Sequence, residues 1–138
     1  HKTFDKLLSR LKRSLPNMTH SKLVKTSGKL GLGIDNIFEV AIEVYNKWNR
    51  RLQTSALNKW FGKVIEEHPP PMSGGKRIKL QYISQVKSRP PTFIIFCNNP
   101  DGLPASYIRY LTSKLRENFN FEGVPLRINL RKKKNPYV

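Results

Sequence analysis

Lysine and arginine are the side chains that recur here in a pattern able to do chemistry, and that chemistry is phosphate neutralisation. Lys76, Arg77 and Lys79 lead into an apolar stretch, Lys87 and Arg89 interrupt it, and Arg127, Arg131, Lys132, Lys133 and Lys134 accompany the last apolar run. Cations on separate stretches can converge on one polyanion, and each neutralised phosphate releases counterions. Groups for bond-making chemistry do not gather in the same way. His1, His20 and His68 are scattered, Glu66 and Glu67 adjoin at a helix end, and no nucleophile–base set or metal-ligand spacing emerges. Cys97 is the only cysteine; inside the apolar run Phe93–Cys97 it reads as a small buried hydrophobe.

The balance of charge agrees with a polyanionic partner. The 138 residues carry 26 Lys+Arg against 9 Asp+Glu, a net charge of +17, enough chain for one ordinary domain or two small pieces. The excess is spread along the chain, +7 over residues 1–53 and +10 over residues 54–138. Nucleic acid is the commonest partner for such a chain, and an anionic membrane surface is the second candidate. Against the membrane, no apolar run approaches the roughly 20 residues that span a bilayer, and no signal-peptide pattern opens the chain. A lone cysteine excludes an intrachain disulfide and fits a reducing, cytoplasmic compartment. The chain opens at His1 without an initiator methionine, as a fragment or processed product would.

Glycine adds two patterns. Gly28-Lys29-Leu30-Gly31 has the G-x-x-G form of a loop that clamps RNA backbone, and the same glycines resemble a phosphate loop, but the G-x-x-x-x-G-K-[ST] spacing is absent. A turn ahead of a helix accounts for them better.

The elements that must position the cations follow from periodicity. Phe4, Leu7, Leu8, Leu11 and Leu15 mark one face of a helix over residues 2–15, and Leu23-Val24 reads as one very short strand. Ile34, Ile37, Phe38, Ala41, Ile42, Tyr45 and Trp48 fall on the clearest helical period of the chain. A third helix begins near Thr54 or Ser55, carries Leu57, Trp60, Phe61, Val64 and Ile65, and stops at His68-Pro69-Pro70-Pro71.

Residues 79–98 read as a β-hairpin. Leu80 and Tyr82 alternate with Lys79 and Gln81, Ile83 and Val86 fall on the other parity, and Phe93–Cys97 is apolar on both, as in a strand covered on both faces. Lys87-Ser88-Arg89-Pro90-Pro91 cannot continue a ladder, since neither proline donates. A fourth helix from about Pro104 to Phe119 carries Tyr107, Ile108, Leu111, Leu115 and Phe119, and a last strand over Val124–Arg131 sets Leu126, Ile128 and Leu130 against Arg127, Asn129 and Arg131. On this pattern Tyr82, Phe93 and Tyr107 belong to the core, leaving Tyr110 and Tyr137 as candidates for exposed stacking. From residue 54 the order is α-β-β-α-β, an α+β unit with a three-stranded sheet. Residues 1–53 read α-β-loop-α, too little to enclose a core, as at the end of a larger α/β domain.

Six short stretches, in order, resemble the C-terminal end of the bacterial ribosome-assembly GTPase family Der, also called EngA, in which two G domains precede a KH-like domain. Ser27-Gly28-Lys29-Leu30-Gly31-Leu32-Gly33-Ile34-Asp35 is similar to the S-A-x-x-G-x-G-[VI]-D segment, the G5 loop of the second G domain. Arg51–Asn58 is similar to the R-[IV]-x-T-[SG]-x-L-N junction, and residues 68–71 match H-P-P-P. Tyr82–Val86 with Pro90–Phe93 match Y-x-x-Q-x…P-P-x-F, and Tyr107–Leu111 and Phe121–Arg127 match the last helix and strand. The resemblance implies a C-terminal G-domain remnant over residues 1–53 and a KH-like domain over residues 54–138. It also implies a guanine-side role for Ser27, Gly28 and Lys29 in an intact protein that uses GTP and Mg²⁺.

Departures qualify the expected function. Gly28 replaces the usual alanine, a mild change where backbone N–H groups do the work. The P-loop, both switches and the N-K-x-D motif are not in this sequence, so no GTP hydrolysis is expected of this chain alone. The KH-like unit itself contains no G-x-x-G. Docking on ribosomal RNA in the 50S subunit through charge and shape is therefore expected, with Lys76, Arg77, Lys79, Lys87, Arg89, Arg127, Arg131 and Lys132–Lys134 converging at one edge. The alternative is an intramolecular module that packs on the G domains and senses their nucleotide state, without direct RNA contact.

Overall fold

A computed structural model describes residues 2–134. Its helices are α1 (Lys2–Ser14), α2 (Ile34–Asn49), α3 (Thr54–Glu67) and α4 (Ala105–Asn118), and its strands are β1 (Leu80–Lys87), β2 (Thr92–Cys97) and β3 (Arg127–Lys132). The expected α-β-β-α-β order is therefore present from residue 54 as α3-β1-β2-α4-β3. The strand expected at Leu23-Val24 does not form; that segment is irregular, and only an isolated bridge, Ser27 to Leu32, follows it. An isolated strand gains nothing without a neighbour to pair with, and the three-stranded sheet is built entirely from later residues.

The strands lie in the order β1-β2-β3, with β1 antiparallel and β3 parallel to β2. The loosened alternation in β1 has a physical cause. Leu80 pairs with Cys97 and Tyr82 with Phe96, so Gln81 is the extra residue of a bulge, and a second register shift lies between Gln85 and Lys87. The bulge reverses parity: Leu80, Ile83 and Gln85 fall on the helix-covered face and Tyr82 on the other. Tyr82 is accordingly 41% exposed, which corrects its expected place in the core.

The helix layer covers one face only. Leu57, Phe61 and Val64 of α3 and Tyr107, Leu111 and Leu115 of α4 meet Ile83, Phe93, Ile95 and Phe121 in one cluster, α3 lying against β1 and α4 against β3. Burial of each large aliphatic or aromatic side chain contributes about 1.5–3 kcal/mol. The apolar run of β2 is not covered by helices on both faces, as its sequence suggests. It is the central strand: Phe93, Ile95 and Cys97 are fully buried beneath the helices, while Ile94 and half-buried Phe96 belong to the face that also carries exposed Tyr82 and Val86. Lateral shielding by β1 and β3 is enough to make a central strand apolar throughout.

One side-chain amide closes the edge of β1, and a second extends its ladder with β2. Asn58 of α3 donates to the carbonyl of Ile83 at 2.9 Å and accepts from its N–H at 3.0 Å. Asn98 accepts from the Lys79 N–H at 2.8 Å and donates to the Arg77 carbonyl at 3.2 Å. Where α3 ends, the Tyr107 hydroxyl donates to the His68 carbonyl at 2.7 Å, and the His68 ring lies 4.6 Å from that of Tyr110. Burial pushes the Tyr107 phenol up to about 12. Asn58→Ala orphans both backbone groups of buried Ile83 and is expected to cost roughly 2–4 kcal/mol. Urea unfolding reads the loss; a change within experimental scatter would show that the clamp does not matter.

Candidate nucleic-acid interface

The sheet sorts the ten cations into two groups. Because β3 runs parallel to β2, Cys97 pairs with Lys132, and the antiparallel β1 brings Leu80 to the same end. Lys76, Arg77 and Lys79 therefore gather with Arg131, Lys132, Lys133 and Lys134 at the Cys97 end. Lys87, Arg89 and Arg127 lie at the Thr92 end, where Thr92 pairs with both Lys87 and Arg127. The five steps of β2 separate the ends by roughly 17 Å. Within the larger group the cations leading into β1 and those at the end of β3 flank β2 on both sides, roughly 10 Å apart across two strand spacings. Convergence is thus at one end of the sheet rather than along one edge, and it unites seven of the ten. All ten are exposed, and residues 68–100 and 123–134 contain no aspartate or glutamate.

The Thr92 end is engaged with the end of α2. The Arg89 N–H donates to the Trp48 carbonyl at 3.1 Å, and its guanidinium Nε donates to the Asn49 side-chain oxygen. Arg89 has a positive φ of 65°, and a cis Arg89–Pro90 peptide follows it. Gln85, buried on β1, folds back on the junction: its Oε1 accepts from the Leu52 N–H at 2.7 Å and its Nε2 donates to the Arg50 carbonyl at 2.9 Å. Arg50 donates to the Phe119 carbonyl and lies 5.5 Å over the Phe121 ring.

The glycine loop ahead of α2 is a tight turn. The Ser27 N–H donates to the Leu32 carbonyl at 2.8 Å, and the Ser27 hydroxyl accepts from the Leu30 N–H at 3.3 Å. Gly33 has a φ of 76°, and a Cβ there would meet the Lys25 carbonyl oxygen at 2.1 Å, so only glycine fits. A Cβ at Gly28 would meet nothing within 4 Å, so an alanine is sterically free there. Gly28 and Lys29 are exposed, and more than 45 residues in sequence separate them from the sheet cations. Leu30 and Leu32 of the loop and Phe38 and Ile42 of α2 are each at least 60% exposed, an apolar surface of the kind that marks a contact with another structure.

Salt bridges link this segment to the sheet unit. Glu43 lies 2.8 Å from Lys47 and 3.9 Å from Lys22, and Lys22 lies 3.2 Å from Glu122. The Lys47 hydrogen bond and the charges of Lys47 and Lys22 hold the Glu43 carboxyl below its ordinary range. His20 lies in a cleft of about 320 Å³ that also includes Thr112 and Arg116; burial, then the Arg116 charge, lowers its pKa. Among the described residues no three His, Cys, Asp or Glu side chains group as a metal site, and no helix is long and apolar enough to cross a membrane.

Comparison with known proteins now decides the family. A profile described as KH-domain-like of EngA bacterial GTPase enzymes, C-terminal, matches residues 51–131. The chain belongs to this EngA KH-like family. Relatives named GTPase Der from Bradyrhizobium sp. (strain ORS 278) and Rhodopseudomonas palustris (strain TIE-1) are 48% and 46% identical over 124 residues, covering 90% of this chain and 27% of theirs. One from Ruegeria sp. (strain TM1040) is 47% identical over 127 residues, 91% of this chain and 26% of its own. The chain thus spans about a quarter of the length of the curated relatives it matches.

Within this EngA KH-like fold, several motif residues prove to be structural. Asn58 and Gln85, quoted above only as letters of family patterns, are the clamps on β1. Tyr82 is the exposed residue that alternation hid; the parity break at Gln81 is the signal for it. Tyr110 is half-buried beside His68, and Tyr137 lies outside the described residues.

Two outcomes follow from these contacts. Gln85→Ala frees the Leu52 amide, whose hydrogen exchange is expected to rise roughly fivefold or more, since one hydrogen bond is worth about 1 kcal/mol or more here; unchanged protection would deny the clamp. NMR titration of the His20 ring is expected to give a midpoint below 6.5. The neutral ring is favoured by folding, so its contribution to stability is complete above pH 6.5 and lost as pH falls toward the folded-state value. A midpoint above 6.5 would contradict the burial.

Proposed function

We propose that this chain is the C-terminal portion of a GTP-binding protein acting in assembly of the 50S ribosomal subunit, and that its KH-like domain docks on ribosomal RNA. The observation that carries this reading is the group of seven exposed cations at the Cys97 end of the sheet, in segments without a carboxylate. Such a surface binds phosphates and fixes register but reads no base by itself. With no G-x-x-G in the KH-like unit, recognition rests on charge and the shape of folded RNA. The reading carries a cytoplasmic location with it.

Residues 1–53 are, on this reading, the end of the second G domain. Ser27, Gly28 and Lys29 would stand on the guanine side of a nucleotide whose phosphates and Mg²⁺ are held by residues outside this chain. The exposed apolar face of α2 supports a missing partner of that kind. The same face favours a second role, intramolecular docking that senses the nucleotide state of the G domains. The clamped junction at Arg50–Leu52 suits it, because a short rigid link transmits orientation better than a flexible one.

Filter binding of the chain to 23S rRNA fragments tests the first role. If four to six phosphates are neutralised, the log–log salt slope is expected at roughly −3 to −5. Charge reversal at Lys132–Lys134 should flatten that slope and weaken binding; reversal of Lys87 should do less. A salt-independent affinity would dismiss the proposal, and binding lost equally from both ends of the sheet would dismiss the assignment to the Cys97 end. GTP turnover by the chain alone is expected to be nil, and a measurable rate that survives repurification would refute that.

A further inference from the structure

The open face of the sheet has features that phosphate contacts do not use. Tyr82, 41% exposed, pairs across the strands with Phe96, and Phe96 pairs in turn with Arg131, so one row across the sheet reads Tyr82–Phe96–Arg131. The two ring centroids are 6.2 Å apart with their planes tilted by 37°. Tyr82 and Phe96 line a groove of about 410 Å³ with Gln81 and Lys133. The next row, Ser84–Ile94–Asn129, adds neutral hydrogen-bonding groups beside the aromatics. Exposed Tyr82 and half-buried Phe96 add nothing to the helix-covered core, whose cluster contains neither.

We infer that this open face is a stacking platform for unpaired bases of a single-stranded RNA segment, with Tyr82 and Phe96 taking the base planes and Arg131 and Lys133 the adjoining phosphates. The inference rests on the RNA-docking reading and names the ligand class that reading leaves open. The choice of nucleic acid over an apolar protein surface comes from charge. Arg131 lies in the aromatic row and Lys133 in the groove, Lys132 and Lys134 adjoin them in sequence, and no carboxylate lies anywhere on the three strands. A face built to dock a protein by apolar burial gains nothing from that clustering. A strand of nucleotides needs both parts, a π-surface for each base and a cation near each phosphate. The bulge at Gln81 is what makes the site, since without it Tyr82 would face the core.

Fluorescence anisotropy on the 138-residue chain tests this with a labelled oligouridine of about ten nucleotides and an RNA duplex of the same length. Tyr82→Ala is expected to weaken oligouridine binding roughly tenfold while leaving the salt slope and the duplex affinity unchanged, and Tyr82→Phe to behave as the parent chain. Oligouridine affinity unchanged by Tyr82→Ala, or lost equally for duplex and single strand, overturns the platform. If the chain binds neither RNA, the docking reading falls as well; if it binds and only Tyr82→Ala is silent, the platform alone falls. NMR of the parent chain guards against a misfolded variant: oligouridine should shift the amide signals of Tyr82, Phe96 and Arg131, and shifts confined to Lys87–Arg89 overturn the inference. Binding of a family G domain in trans that Tyr82→Ala abolishes, with RNA affinity intact, would give the face to a protein and likewise overturn it.

Discussion

The outer edge of β1 is the constraint on which the structure depends. An edge strand presents a row of unpaired donors and acceptors, and leaving a buried one unsatisfied costs about 1–3 kcal/mol. Here Asn58 supplies both partners to Ile83 from α3, while Asn98, just past β2, extends the β1–β2 ladder to Lys79 and Arg77. Gln85 works in the other direction, reaching from β1 to the backbone of Arg50 and Leu52. The edge therefore fixes the helix layer from one side and the incoming chain from the other. The other edge, β3, is protected differently: Arg127, Arg131 and Lys132 are exposed along it, and charge deters further pairing. One edge closed by Asn58 and the other lined by cations limits the sheet to three strands.

Much of this was legible in sequence because the signals are local. The period of α2, the stripe of α3 with its proline stop, the hairpin turn and the Arg127–Arg131 alternation each lie within one element, and all appear at the expected places. What failed depends on neighbours. Leu23-Val24 has strand composition but no partner. Tyr82 has core parity until the Gln81 bulge reverses it. Apolar Phe93–Cys97 looks sandwiched, whereas central position in the sheet does the burying. The cations posed the same difficulty: exposure was predictable from charge, but which of them meet depends on β3 running parallel to β2, and no residue in β3 encodes that direction by itself.

That direction gives the sheet two unlike ends. At the Thr92 end Arg89 is already bonded, through backbone and side chain, to the last residues of α2. At the Cys97 end Arg131, Lys132, Lys133 and Lys134 are exposed, and the four salt bridges among the described residues draw instead on Lys22, Lys47 and Lys114. The two groups thus differ in availability as well as in number. A guanidinium that holds a helix end must give up that bond before it can bind a phosphate, so its net gain from RNA is smaller.

The link between the ends is β2, the most buried strand of the chain, with Phe93, Ile95 and Cys97 wholly inaccessible. A strand held on both sides by ladders and above by two helices does not bend independently, so displacement at its Thr92 end moves its Cys97 end as one body. The α2 helix grips the Thr92 end through Trp48 and Asn49, and Gln85 holds the residues that follow. These hydrogen bonds tie the end of α2 and the residues that follow it to the Thr92 end of the sheet. Rigidity of the junction, more than any contact at the cationic end, sets whether the two ends can act in concert.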